Sequence, residues 1–275
     1  MPYLLAMICV LLAAVPCYAE DANSLEGADK AMLAGDLSQA RKLAAAVAQA
    51  DPKNAAAFLL VGRSSLGLRD NAAAIEAFSK VLQLEPDTIS ALDGRGDAYL
   101  KAGQFAAAVA DFDRMLELVP AFAPQHWRRG IALYYAGKYD EGVQQFETHK
   151  LANPQDVENA VWHYLCNVHM AGPDEARKQL IDVTQDSRVP MKQIQKLFAG
   201  KLQPADVLST AEAVDAKTLA GKEARFYAHL YVGLWHEAEG NAKQAKAHLT
   251  TAAKDYKISH YMWDVANAHV QSLQK

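Results

Sequence analysis

Cysteine is nearly absent: three residues in a chain of 275, too few for the disulfide framework that staples small secreted domains. Blocks of basic charge are absent too. Lys and Arg number 28 against 32 Asp and Glu, for a net charge of −4, which argues against nucleic acid or an anionic membrane face as partner. No Gly-rich phosphate loop and no G-x-S-x-G elbow occurs, so no cofactor is expected. Tryptophan and histidine are missing from the first 125 positions; all 4 Trp and all 9 His lie at or after His126.

One long hydrophobic run exists, and it is at the start. Tyr3 to Val15 is uninterrupted, no charged side chain appears before Glu20, and Cys17-Tyr18-Ala19 offers a small-residue cleavage site. The expectation is a secretory signal peptide over 1–19, cleaved near Ala19-Glu20, and a secreted or periplasmic mature protein without a membrane span. An uncleaved anchor is one alternative, although the run is short of the ~20 residues a spanning helix needs. Lipidation at Cys17 is another, with Pro16 where such signals carry Gly, Ala or Ser. After cleavage only Cys166 remains, so the mature chain is expected to be held by packing alone.

What is abundant is alanine, which suits helices, and a period. Pro52, Pro86, Pro120 and Pro154 recur every 34 residues. Counting each unit as ending two residues past its proline, a small residue recurs at the eighth place (Ala28, Gly62, Gly96, Gly130) and again at the twentieth (Ala40, Ala74, Ala108, Gly142). Phe78, Phe112 and Phe146 follow at the twenty-fourth, with Ala44 in the first unit. Gly35, Arg69-Asp70, Gly103 and Gly137 break each unit into two helices, and each proline closes the second, since the residue before it is driven out of helical geometry.

This register resembles the tetratricopeptide repeat family, whose 34-residue units are helix–turn–helix pairs that bury their apolar faces only by stacking. The predicted fold is an all-α, right-handed solenoid forming a single domain over 20–275. Its units are 21–54, 55–88, 89–122 and 123–156, with a degenerate fifth at 157–184. An irregular insertion fills 185–218, a further repeat 226–259, and a capping helix 258–273. Within the insertion, Met191–Phe198 is predicted to be a short helix that lays Ile194, Leu197 and Phe198 against units five and six. The layout is similar to NlpI-type exported tetratricopeptide proteins of bacteria, which implies an adaptor for a cell-envelope hydrolase or protease.

The resemblance also implies a concave groove for a protein or peptide partner. Its expected lining is Arg63 from unit two, Asp93, Asp97 and Lys101 from unit three, Trp127, Arg128, Tyr134 and Tyr135 from unit four, and Trp162 and His169 from unit five. Trp127, Arg128, Tyr134 and Tyr135 are of the types that dominate interface energetics; Tyr134 is read equally as packing against the next unit. The clamp by which chaperone-binding relatives hold an acidic C-terminus is missing, because Leu25, Leu59, Asp93 and Trp127 stand where its Lys belongs. The C-terminal repeats are left as a surface for self-association.

A competing reading is chemical. His163, Cys166 and His169 fall on one arc of a helix, where N and S donors suit zinc, with His126 and His149 as further ligands. A metal-dependent or thiol enzyme on that face is the alternative to a non-enzymatic scaffold. Buried packing of these residues is the plainer reading, and Asp93 with Asp97 reads more simply as a solvated charged face than as a catalytic pair.

Overall fold

The computed structural model describes residues 24–273, so the expected signal peptide at 1–19, its cleavage point and Cys17 lie outside the described residues. Helices come in antiparallel pairs: α1 (Leu25–Leu33) with α2 (Leu37–Ala50), α3 (Ala55–Gly67) with α4 (Asn71–Leu84), and α5 (Ile89–Lys101) with α6 (Phe105–Leu118). A 3₁₀ turn at Pro120–Gln125 leads into α7 (Trp127–Tyr135) and α8 (Tyr139–Ala152), followed by α9 (Val157–Ala171) and the short α10 (Pro173–Lys178). All described regular elements are helical, as the all-α solenoid requires.

Local chemistry sets the boundaries. Asp36, Asp70 and Asn54 accept hydrogen bonds from the amides of Gln39, Ala73 and Ala57, each satisfying one of the donors a helix start leaves open. The chain reverses through a left-handed residue: Gly35 at φ 78°, Gly103 at 71° and Gly137 at 74°. At the equivalent place in unit two stands Arg69, the one described non-glycine residue with positive φ, at 59°. Before each repeat proline the backbone leaves helical geometry, as at Asp51 (φ −130°, ψ 92°), Glu85 (φ −137°, ψ 85°) and Val119 (φ −137°, ψ 76°).

The eighth and twenty-fourth places belong together. A Cβ at Gly62, Gly96 or Gly130 would lie 2.6, 2.5 or 2.6 Å from the ring of Phe78, Phe112 or Phe146, closer than carbon atoms approach. The ring fills the space the missing side chain leaves, which locks the two helices of one unit face to face. Unit one has Ala28 and Ala44 at these two places, both fully buried in one cluster.

Beyond α10 the phase breaks. The chain continues as α11 (Met191–Phe198), α12 (Pro204–Glu212), α13 (Leu219–Ala238), α14 (Ala242–Asp255) and α15 (Tyr261–Ser272). α13 starts at Leu219, earlier than the repeat boundary read at 226, because Thr218 caps it by accepting from the Gly221 amide. α11 packs on α9, α12 and α13 and buries Ile194, Leu197 and Phe198 completely, worth about 1.5–3 kcal/mol each. Gln195 fastens the preceding strand of chain to it through a 2.8 Å bond to the Ile181 carbonyl. One continuous apolar cluster runs from Leu100 through units four and five to Val270, while the first units have smaller cores of their own. Among the described residues no helix is long and apolar enough to cross a membrane.

Candidate functional site

The chain's own α15 lies against the face where the groove was expected, in contact with residues of α5 and α7. A cap was anticipated over the last open face; α15 does pack on α14, but it also reaches back to α5. The Tyr261 ring meets Trp127 edge-on at 4.8 Å, and the Tyr135 hydroxyl lies 2.8 Å from His269 Nδ1. The two contacts are equally spaced along both helices, so α15 runs parallel to α7.

Each expected groove residue has a defined place. Asp97 is buried; it accepts from the Tyr261 hydroxyl at 2.6 Å and from Lys101 Nζ at 2.9 Å, and Lys101 also sits 4.7 Å from the Tyr261 ring centre. Asp93 is held by Arg128 at 2.7 Å and by His126 Nε2 at 3.1 Å. Burial pushes the Asp93 carboxyl up, but the His126 bond and the Arg128 charge outweigh it and hold it at about 2. Arg128 also reaches Asp97 at 3.7 Å, so a cation lies between the two carboxylates. Tyr134 is buried, edge-on to Trp162 at 5.3 Å, the packing role read for it as an equal alternative. Trp162 is itself 2% exposed. His169 stacks on Tyr139 at 4.2 Å. Arg63 remains exposed, as does Leu33 at 88% in α1.

Several participants carry no sequence signal for their role. Arg69 donates to Asp264 of α15 at 2.7 Å and lies 5.1 Å from the Trp263 ring centre. Phe105 stacks on Tyr135 at 4.6 Å. Glu158 sits inside the apolar α9, where it accepts from Arg188 and, at 2.5 Å, from the Tyr231 hydroxyl. A charged residue within an apolar helical stripe is the only hint the sequence held of this last network.

The His163–Cys166–His169 face does not converge on a point. Cys166 is fully buried against Gly142, where a Cβ would come within 2.8 Å of its Sγ, and burial pushes its thiol up to about 12, far from a reactive thiolate. His163 faces Glu147 at 3.7 Å, and His169 turns to Tyr139. His126 caps α7, and His149 donates from Nδ1 to the Pro124 carbonyl at 2.7 Å. Among the described residues no three His, Cys, Asp or Glu side chains are placed to hold a metal ion. The shared arc of the helix is real, but its members meet α8 at three separate levels, Glu147, Gly142 and Tyr139.

The tetratricopeptide repeat family model matches residues 25–89 and 94–157, just under half of the chain, and tetratricopeptide repeat proteins serve as protein-interaction scaffolds. A tetratricopeptide repeat protein from Parabacteroides merdae is similar in structure, with a TM-score of 0.61 at 17% identity, over 94% of this chain and 100% of that one. MamA from Desulfovibrio magneticus RS-1 gives 0.51 at 17% identity over 72% of this chain and 98% of its own. Another MamA crystal structure gives 0.52 at 20% identity over 64% and 90%. At these identities the likeness is one of fold. No curated protein matches the sequence.

Proposed function

We propose that this protein is a non-enzymatic scaffold or adaptor that holds a polypeptide partner on its concave face, and that the element it takes there is an amphipathic helix. The observation that supports this is α15. The groove already seats one helix, using aromatic contacts at Trp127 and Tyr135 and polar anchors at Asp97 and Arg69. This is the side-chain chemistry by which grooves select helical ligands. Arg63 and Leu33, on the part of the concave side with α1 and α3, offer a cation and an apolar contact to a partner that extends past α15.

Within this reading the protein is exported, its partner belongs to the cell-envelope hydrolases or proteases, and the C-terminal repeats provide any self-association. In a pull-down, Trp127→Ala with Tyr135→Ala is expected to abolish capture of a partner helix that takes the place of α15, while helical circular dichroism stays intact. Since both residues also hold α15, Arg63→Glu serves as the companion variant and is expected to weaken capture without disturbing that helix. Unchanged capture by both variants overturns the groove reading. Mass spectrometry of the exported form is expected to find Glu20 at the N-terminus; a lipidated Cys17 or an intact Met1 overturns the export route.

A further inference from the structure

The side of α15 that meets the earlier units carries three polar-tipped side chains, each with a partner of matching chemistry. Tyr261 lays its ring edge-on to Trp127 at 4.8 Å and donates its hydroxyl to Asp97 at 2.6 Å. Three residues on, the Asp264 carboxylate accepts from Arg69 at 2.7 Å. Five further, His269 Nδ1 lies 2.8 Å from the Tyr135 hydroxyl. At 100° per residue these places fall within an arc of about 140°, so one helix face presents all three together. Two of the three partners are also held from the other side. Asp97 accepts from Lys101 at 2.9 Å with Arg128 at 3.7 Å, and Tyr135 stacks on Phe105 at 4.6 Å. Asp97 is thus not left a buried, unpaired charge when the helix over it changes.

Residues 256–260 join α15 to α14. Ile258 is buried and His260 Nδ1 lies 3.0 Å from the Tyr227 hydroxyl, so a helix that leaves the face stays tied beside it. A tether this short gives an effective concentration on the order of 1 mM. A free helix making the same contacts has to displace the tethered one, and its apparent Kd is its own Kd divided by the fraction of open faces. That quotient equals its own Kd plus the effective concentration, so it stays above about 1 mM while α15 competes.

We infer that α15 is an internal copy of the ligand this face takes: a partner helix presents a tyrosine, a carboxylate three residues after it and an imidazole eight residues after it, and competes with α15 for Asp97, Arg69 and Tyr135. The inference rests on the groove reading proposed above and gives the partner a sequence pattern. The carboxylate sets the selectivity, because a cation in its place meets Arg69.

The test uses the full chain and fluorescein-labelled peptides of residues 258–273, followed by fluorescence anisotropy. The native peptide is expected to bind the unaltered chain no tighter than about 1 mM. Asp264→Arg in the chain sets two cations against each other and loosens the tethered helix. The native peptide, which keeps its carboxylate, is then expected to bind about ten-fold more tightly. A peptide carrying Asp264→Arg is expected to bind that chain at least about ten-fold more weakly than the native one. With Arg69→Glu in the chain, the preference between the two peptides is expected to reverse. Tyr261→Phe in the chain, a milder change, is expected to tighten native-peptide binding in the same direction, and it carries the competition test without either charge change. Equal binding of the native peptide by the unaltered, Asp264→Arg and Tyr261→Phe chains overturns the inference, since α15 would not be competing. Affinities that ignore the peptide's residue at this place in both charge-altered chains overturn it too, while leaving a groove that takes helices. Failure of every peptide to bind any altered chain overturns the groove reading along with it.

Discussion

At Gly96, a hydrogen atom in place of a methyl group decides whether Phe112 lies where it does. The added Cβ of Gly96→Ala would stand 2.5 Å from Phe112 Cε1, and overpacking of this kind is expected to cost about 1–3 kcal/mol in thermal or urea denaturation. Gly96→Ala combined with Phe112→Ala recreates the Ala28–Ala44 pair of unit one, so its cost is expected to be less than the sum of the two single changes; strict additivity would show that the two places are not matched. The pairing was legible in the sequence as a period, while its cause, a ring lying over a bare backbone, needed coordinates. The partners of Glu158 were not legible, since Arg188 and Tyr231 lie 30 and 73 positions away. Burial lifts its carboxyl from an ordinary 4.5 to about 7 against the pull of Arg188. Between those values the folded protein keeps a proton that the unfolded chain releases. The group's contribution is therefore full below about pH 4.5 and is lost as the pH rises through 7. Glu158→Gln keeps the shape and removes the titration. The stability of the unaltered protein minus that of the variant is expected to fall by on the order of 3 kcal/mol across this window, measured by urea denaturation at a series of pH values; a constant difference refutes the assignment.

The helix as a unit was the most readable level. The turn glycines, the non-helical residues before the prolines and the helix Met191–Phe198 all stand where the sequence put them, because capping and backbone sterics act over a few residues. What α15 docks on was not readable: its apolar stripe marked it as a cap, but Tyr261, Asp264 and His269 find partners 164, 195 and 134 positions away, and no periodicity encodes that. Two changes probe this helix alone. Tyr261→Phe removes the hydroxyl bond to Asp97 and is expected to speed amide hydrogen exchange in 261–272, with units one and two unaffected. Arg69→Gly relieves a left-handed non-glycine residue by about 1 kcal/mol and gives up a half-screened ion pair of similar size, so global stability is expected to change by less than about 1 kcal/mol. Exchange in α15 is nonetheless expected to quicken. A loss of protection spread evenly over the whole chain in either variant would show that α15 is not a separately opening element.

At the level of the whole molecule, the buried face of α11 leads to the expectation that limited proteolysis spares the stretch between Gln185 and Ala205; early release of a stable C-terminal fragment would reveal a hinge there instead. The repeats were legible as far as their phase ran, to about residue 177, and the molecule departs from simple stacking where that phase stops. The return of α15 to α5 and α7 has a further consequence, in the order of events during synthesis. Domains fold from the N-terminus as the chain grows, and residues 261–272 emerge after every helix they dock on. For that interval Asp97, Trp127 and Tyr135 face outward without their later neighbours. A nascent chain therefore displays a surface that the finished protein keeps covered, and a binding protein present during synthesis meets a different molecule from one that arrives afterwards.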